Sequence, residues 1–281
     1  MVQELAFAKI NLTLDILGKR SDGYHSLQTI MQSLDLADVV ELEKSDAIEL
    51  KISGNDSLPT DENNLAFRAV LAVNKACGKN LGVIINLSKK IPAAAGLAGG
   101  SSDAAAVIRG LNRLYNLNLT AEKMCEIGAQ LGSDIPFCII GGTCLAEGRG
   151  EKLTPLPALK NFSVVLIKPR GEISTAWAYK TYDENSTANH ISTFEIIEML
   201  RAGDYGSAFK NFANVLEAVA VKKIPAIETY KNFLLENGAE FALMSGSGPT
   251  VFTLTDELTA KKIAANFEGN AQIFITKTRN D

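Results

Sequence analysis

The chain has 281 residues, 46% hydrophobic and 21% charged, enough apolar content for one large domain or two of ordinary size. A formal net charge of −4 argues against the basic face on which general nucleic-acid binding rests, so any phosphate must be held by local geometry. Four cysteines without a Cys-x-x-Cys pair read as small buried hydrophobes in a reducing compartment, and two histidines, His25 and His190, remove most metal sites built on histidine clusters and argue against a Ser-His-Asp triad. The first residues lack the basic and apolar regions of a signal peptide, and no apolar run approaches the roughly 18 residues of a membrane helix. A soluble, cytoplasmic protein is expected.

Residues 10–16 alternate, with Ile10, Leu12, Leu14 and Ile16 apolar and Asn11, Thr13 and Asp15 polar. This predicts a half-buried strand with Lys9 on the polar face beside Asn11 and Thr13. Leu5 and Phe7 carry the opposite phase, which predicts a bulge or a new partner near Ala8. Residues 38–50 predict further strand, broken at Lys44-Ser45-Asp46. From Asp61 the spacing of Leu65, Ala69, Ala72, Val73 and Ala76 predicts a helix stopping at Gly78. Val83, Ile85 and Leu87 return to period two. A second helix carries Ala104, Val107, Ile108, Leu111 and Leu114 on one stripe, and a third runs from a Thr120 cap to Gly132. Residues 151–157, with Pro155 and Pro157, predict a crossover between domains. Then come a strand over 163–167, helices around 194–201, 205–221 and 226–236, and a strand near Phe241. A Gly-rich turn, a strand over 250–254, a helix from Glu257 and a strand over 273–276 follow. Strands first and mixed elements later predict an α+β chain of two domains, 1–155 and 156–281.

Three stretches carry chemistry. The first is Pro92-Ala93-Ala94-Ala95-Gly96-Leu97-Ala98-Gly99-Gly100-Ser101-Ser102, a loop of small residues opening a helix at a Ser-Ser cap. Small side chains let backbone approach a ligand closely, and the first N–H groups of a helix have no internal partners. With the dipole's positive end there, the loop suits phosphate without a Walker lysine, and Ser101 and Ser102 offer hydroxyls. Capping alone needs fewer glycines. The second is Gly132-Ser133-Asp134-Ile135-Pro136-Phe137, an isolated carboxylate before a proline that prevents the helix continuing; such an aspartate is usually an Asx cap. The third is Met244-Ser245-Gly246-Ser247-Gly248-Pro249-Thr250, a turn that closes over a ligand or simply links two strands.

Together with Ala8-Lys9-Ile10-Asn11-Leu12, these stretches resemble the GHMP family of small-molecule kinases, in family order and nearly end to end. The resemblance implies a two-domain GHMP kinase fold of α+β class with the active site in an interdomain cleft. It implies Asp134 as general base for an acceptor hydroxyl, Lys9 as its electrostatic partner, and residues 92–102 as the nucleotide-binding loop for ATP. Phosphoryl transfer agrees, needing an aligned nucleophile and positive charge near developing negative oxygens. Lys19-Arg20-Ser21-Asp22-Gly23-Tyr24-His25 is similar to one branch of the family. That branch implies a cytidine diphosphate-linked sugar alcohol as acceptor and a place in non-mevalonate isoprenoid synthesis. Asn11, Tyr24, His25 and Tyr179 then bind the acceptor, with Tyr24 and Tyr179 sandwiching the pyrimidine. Mg²⁺ is expected with ATP, its ligands unassigned; Asp103 and Glu147 are acids near the loop. Ala98 stands where the family pattern often has glycine, so a negative φ is expected there. The alternatives are a homoserine or mevalonate type kinase, opposed by Asp22-Gly23-Tyr24-His25, and an inactive ligand sensor, opposed by the pairing of Lys9 with Asp134.

Overall fold

The computed structural model describes residues 1–185 and 190–280. In chain order it forms β1 (Val2–Asn11), β2 (Asp15–Lys19), β3 (His25–Ser45), β4 (Ile48–Ser53), α1 (Leu65–Cys77), β5 (Gly82–Ser88), α2 (Gly99–Leu114), α3 (Ala121–Ala129) and α4 (Ile135–Ile140). Next come β6 (Thr143–Gly148), β7 (Lys152–Pro155), β8 (Ser163–Lys168), α5 (Thr175–Asn185), α6 (Thr193–Arg201), α7 (Tyr205–Asn211), α8 (Glu217–Lys223) and α9 (Ala226–Glu236). Last are β9 (Leu243–Met244), β10 (Val251–Thr255), α10 (Glu257–Ala265) and β11 (Gln272–Arg279). Two compact units interleave in sequence. One takes Met1–Lys9, Leu36–Ala93 and Ala98–Gly141; the other takes Ile10–Asp35, Ala94–Leu97 and the chain from Gly142 on. The sequence therefore changes unit after Lys9, Asp35, Ala93, Leu97 and Gly141, a more divided arrangement than one boundary near residue 155.

In the first unit, the second half of β3 pairs antiparallel with β5, Val40 opposite Leu87 and Leu42 opposite Ile85, and β4 runs parallel to β5. The inward period-two residues Val40, Leu42, Val83, Ile85 and Leu87 present one apolar face. Ala66, Ala69, Val70 and Val73 of α1 and Ala104, Val107, Ile108 and Leu111 of α2 bury it. Close approach requires glycine at Gly110, where a Cβ would run into Leu42. Asn64 Oδ1 accepts from the Ala66 N–H at 2.9 Å to start α1, and Gly78 ends it in the left-handed region at φ 61°. β1 runs as one strand through Ala8, with Ala6, Ala8 and Ile10 buried and Leu5 exposed.

The second unit corrects several expectations. The alternating stretch 10–16 is split between the end of β1 and the start of β2, and every residue from Ala8 to Ile16 is buried. Its polar face is satisfied internally: Asn11 Nδ2 donates to Thr29 Oγ1 at 2.8 Å, and Thr13 Oγ1 accepts from the Ile30 N–H at 2.9 Å. Residues 152–155 are no crossover; they pair antiparallel with β6 as the second strand of a hairpin, and β6 pairs with β3. The stretch 205–221 is two helices, interrupted where Leu14 bridges to Asn214. The sequence reading assigns no element to 175–185. Helix α5 lies there with only Ala178 buried, so no apolar stripe announces it. β8 lies between β10 and β11, and Val165, Ile167, Val251, Leu216, Ile227 and Ile263 share its core. Among the described residues, no helix is long and apolar enough to cross a membrane.

Candidate active site

Lys9 is 3% exposed within β1, flanked by buried Ala8 and Ile10. Its Nζ lies 3.6 Å from Asp134 Oδ2, with the two side chains 4% and 34% exposed. Asp134 immediately precedes α4 with helical backbone angles, and its side chain makes no capping bond. The ordinary employment of a turn aspartate is therefore absent, and the carboxylate remains beside an ammonium and open to solvent. Pro136 does not stop a helix, as the sequence suggested; it lies in the first turn of α4, where its missing N–H costs nothing. Buried Ile135 and Phe137 anchor that turn and so fix where Asp134 stands. Burial pushes the neighbouring Cys138 thiol up to about 12, leaving it inert.

The phosphate-loop candidate turns through three left-handed residues, Ala94 (φ 48°), Gly96 (φ 76°) and Ala98 (φ 59°). The negative φ expected at Ala98 is thus wrong. A left-handed alanine costs about 1–2 kcal/mol against sterics. Between the turning residues, Ala95 and Leu97 are 3% and 1% exposed and pin the loop inward. Ser245 Oγ donates to Gly96 O at 2.9 Å, and the Thr250 N–H to Ala95 O at 3.4 Å. A Cβ on Gly96 would strike the Ser245 carbonyl oxygen. Helix α2 starts at Gly99 behind Ala98, without a side-chain cap, so Ser101 and Ser102 are not the cap but lie in the first turn. The first helical bond is Ser102 N–H to Ala98 O at 2.9 Å, which leaves the N–H groups of Gly99, Gly100 and Ser101 ahead of the ladder. Gly100 is exposed and Pro92, Ala93, Gly99 and Ser101 half-buried, whereas the buried Ser102 hydroxyl donates to Phe7 O at 2.6 Å.

The Ser245–Thr250 turn is held from beneath by Asn214, whose Nδ2 donates to Met244 O and Gly246 O, each at 2.8 Å. Glu217 Oε2 accepts from the Met244 N–H at 2.8 Å. Sequence reading missed both supports, because each sits in a stretch that reads as continuous helix.

Of the residues read as acceptor-binding, Asn11 is 2% exposed and tied to Thr29. Tyr24 is 54% exposed beneath the Arg149 guanidinium, 4.8 Å from its ring centre. His25 opens β3 and stacks on Tyr179 with centroids 5.0 Å apart and planes at 29°. Tyr179 therefore meets His25, and the rings of Tyr24 and Tyr179 form no pair among the described residues. A cavity of about 420 Å³ is lined by His25, Lys19, Tyr182, Asp183 and His190, among others. Within it His25 Nε2 lies 2.7 Å from Asp183 Oδ1, and Lys19 Nζ lies 2.8 Å from Asp183 Oδ2. Asp183 was not legible in the sequence.

Asp103 has a different employment from the metal-side acid considered above. Its Oδ2 lies 2.6 Å from Lys89 Nζ, which also reaches Asp38 Oδ2 at 2.5 Å, and all three side chains are at most 5% exposed. Burial pushes the Asp103 carboxyl up to about 7. Glu147 accepts from Gln28 Nε2 at 3.4 Å. Among the described residues, no group of three or more histidine, cysteine, aspartate or glutamate side chains is placed to hold a metal ion.

The family model described as GHMP kinases N terminal domain matches residues 64–142, and that described as GHMP kinases C terminal matches residues 196–271. The chain belongs to the GHMP kinase family. A protein of Carboxydothermus hydrogenoformans named 4-diphosphocytidyl-2-C-methyl-D-erythritol kinase is 47% identical, covering 96% of this chain and 94% of its own. One of the same name from Alkaliphilus metalliredigens is 46% identical over 89% of this chain and 87% of its own. The crystal structure of a 4-(cytidine 5'-diphospho)-2C-methyl-D-erythritol kinase superposes with a TM-score of 0.83 at 31% identity, covering 100% of both chains. A homoserine kinase from Cytophaga hutchinsonii shares the fold, with a TM-score of 0.76 at 21% identity over 99% of this chain and 95% of its own.

Proposed function

We propose that this chain transfers the γ-phosphoryl group of ATP to the 2-hydroxyl of 4-diphosphocytidyl-2-C-methyl-D-erythritol, in the cytoplasm and on the non-mevalonate route to isoprenoid precursors. The observation that carries the reaction is the Lys9–Asp134 pair, a carboxylate that caps nothing beside a buried ammonium. Asp134 accepts the hydroxyl proton as the acceptor oxygen attacks the γ-phosphorus, and the bond from that phosphorus to the β–γ bridging oxygen breaks, releasing ADP. Lys9 stabilises negative charge at the attacking oxygen. The free N–H groups at the start of α2, with the small residues 92–102, hold the triphosphate. Mg²⁺, when bound with ATP, would neutralise charge on the phosphate oxygens. Asn11, Tyr24, His25 and Tyr179 face the acceptor, with the pyrimidine at His25. The names of the close relatives support the acceptor, and the 420 Å³ cavity at His25 is of a size for a nucleobase and part of its ribose.

The test is ³¹P NMR of the products formed from ATP and 4-diphosphocytidyl-2-C-methyl-D-erythritol, with homoserine and mevalonate in parallel. A new monoester phosphate signal with the cytidine compound alone is expected. Turnover of homoserine or mevalonate instead, or of none of the three, refutes the proposal.

A further inference from the structure

The cavity at His25 holds a side chain that no reading of the sequence singled out. His25 presents only 10% of its side chain to solvent, and one ring face is covered by Tyr179. The ring lines the cavity, and its edge carries the two nitrogens. Nε2 is committed to Asp183 Oδ1 at 2.7 Å, and Nδ1 makes no hydrogen bond among the described residues. The hydrogen bond from Lys19 to the other oxygen holds Asp183 below the usual carboxylate range, so it is ionised and can only accept. The proton between Asp183 and His25 must therefore sit on Nε2. In its neutral form the imidazole so fixed carries a lone pair, and no hydrogen, at Nδ1.

We infer that Asp183 is a positioning residue for base selection: by fixing the tautomer of His25, it makes Nδ1 an acceptor that takes the exocyclic amine of cytosine and meets the keto oxygen of uracil lone pair to lone pair. This rests on the acceptor proposed above, with its base at His25. Cytosine and uracil have nearly the same shape, so stacking does not separate them. A donor–acceptor mismatch at a partly desolvated edge does, by roughly ten- to hundredfold. Lys19 contributes through Asp183. Removing the carboxylate frees the imidazole to place its hydrogen on either nitrogen.

The experiment compares wild type and Asp183→Asn with the cytidine substrate and its uridine counterpart, and measures CMP and UMP binding by calorimetry. Wild type is expected to prefer cytosine roughly ten- to hundredfold in kcat/KM and in affinity. Asp183→Asn is expected to lose most of that ratio while keeping its KM for ATP, which also reports that the variant is folded. A variant that loses both substrates equally, with the ratio kept, overturns the inference, since that is what a merely structural aspartate would do. The ¹⁵N shifts of His25 in wild type supply a second reading that needs no variant: hydrogen on Nε2 supports the assignment, and hydrogen on Nδ1 overturns it. A wild type that phosphorylates neither compound refutes the proposed reaction. The CMP-to-UMP affinity ratio and the tautomer then still decide the role of Asp183.

Discussion

Two lysines in the same compact unit, Lys9 and Lys89, are both buried and both face aspartates, yet their surroundings differ. Lys89 is gripped at 2.5 and 2.6 Å by two carboxylates that are themselves buried, and Asp38 spends its other oxygen on the N–H groups of Lys90 and Ile91. Lys9 stands 3.6 Å from one carboxylate that is a third exposed and makes no capping bond. The first arrangement leaves the ammonium no freedom and ties β3 and the end of β5 to the first turns of α2. The second keeps the Asp134 carboxylate near an ammonium yet partly open to solvent, which suits the proton exchange proposed for Asp134. On the proposed reaction, short distance and complete burial mark structure here, and the longer, partly open pair marks chemistry.

The sharpest way to break this comparison is at Asp134. Asp134→Asn is expected to lower kcat by roughly 10²–10⁴ while leaving the melting temperature nearly unchanged. Lys9→Ala should act similarly, and the double variant should fall far short of the product of the two. An Asp134→Asn enzyme keeping over half of wild-type kcat, with chemistry rate-limiting, would show that Asp134 is not the base. Lys89→Ala is expected to do the opposite, destabilising the fold by about 3–5 kcal/mol because two carboxylates lose their buried partner. Denaturant titration of both lysine variants side by side separates the two roles.

A smaller effect should appear in the pH dependence of stability. Asp103 binds its proton more tightly in the folded chain, near pH 7, than at the ordinary value of 3.8. Its contribution is therefore full below that ordinary value and is lost as pH rises through about 7. Asp103→Asn should flatten this decline, read as the difference in denaturation midpoint between pH 5 and pH 8. Smallest of all is the effect of Tyr24→Ala, a ring more than half exposed. It should raise KM for the acceptor, within the roughly 1–3 kcal/mol that stacking of a base on an aromatic is worth, and leave KM for ATP unchanged.

What the sequence disclosed and concealed follows from range. Helix α1 was legible from Asn64 to Gly78 because cap, stripe and stop are all local signals. The glycine loop was legible as a place of close approach, since only small residues occupy it. Its conformation was not, because the left-handed Ala98 carries no local signal, and the bonds from Ser245 to Gly96 and from Thr250 to Ala95 come from residues distant in sequence. The proximity of Lys9 to Asp134, like that of His25 to Asp183, depends on pairings across more than a hundred residues. Family resemblance supplied the first pair. Nothing supplied the second, which lies on a helix without an apolar stripe.

The interleaving of the two units bears on the order in which the chain leaves the ribosome. By Gly141 every segment of the first unit has been made, and its core can close while synthesis continues. Ile10–Asp35 has also emerged, but its unit depends on the chain from Gly142 on, including β6, the partner of the first half of β3. At about 5–20 residues per second, that strand waits seconds to tens of seconds with an open edge. Nascent-chain aggregation and chaperone capture should therefore concentrate on residues 25–32, and slowing translation beyond Gly141 should lengthen their exposure.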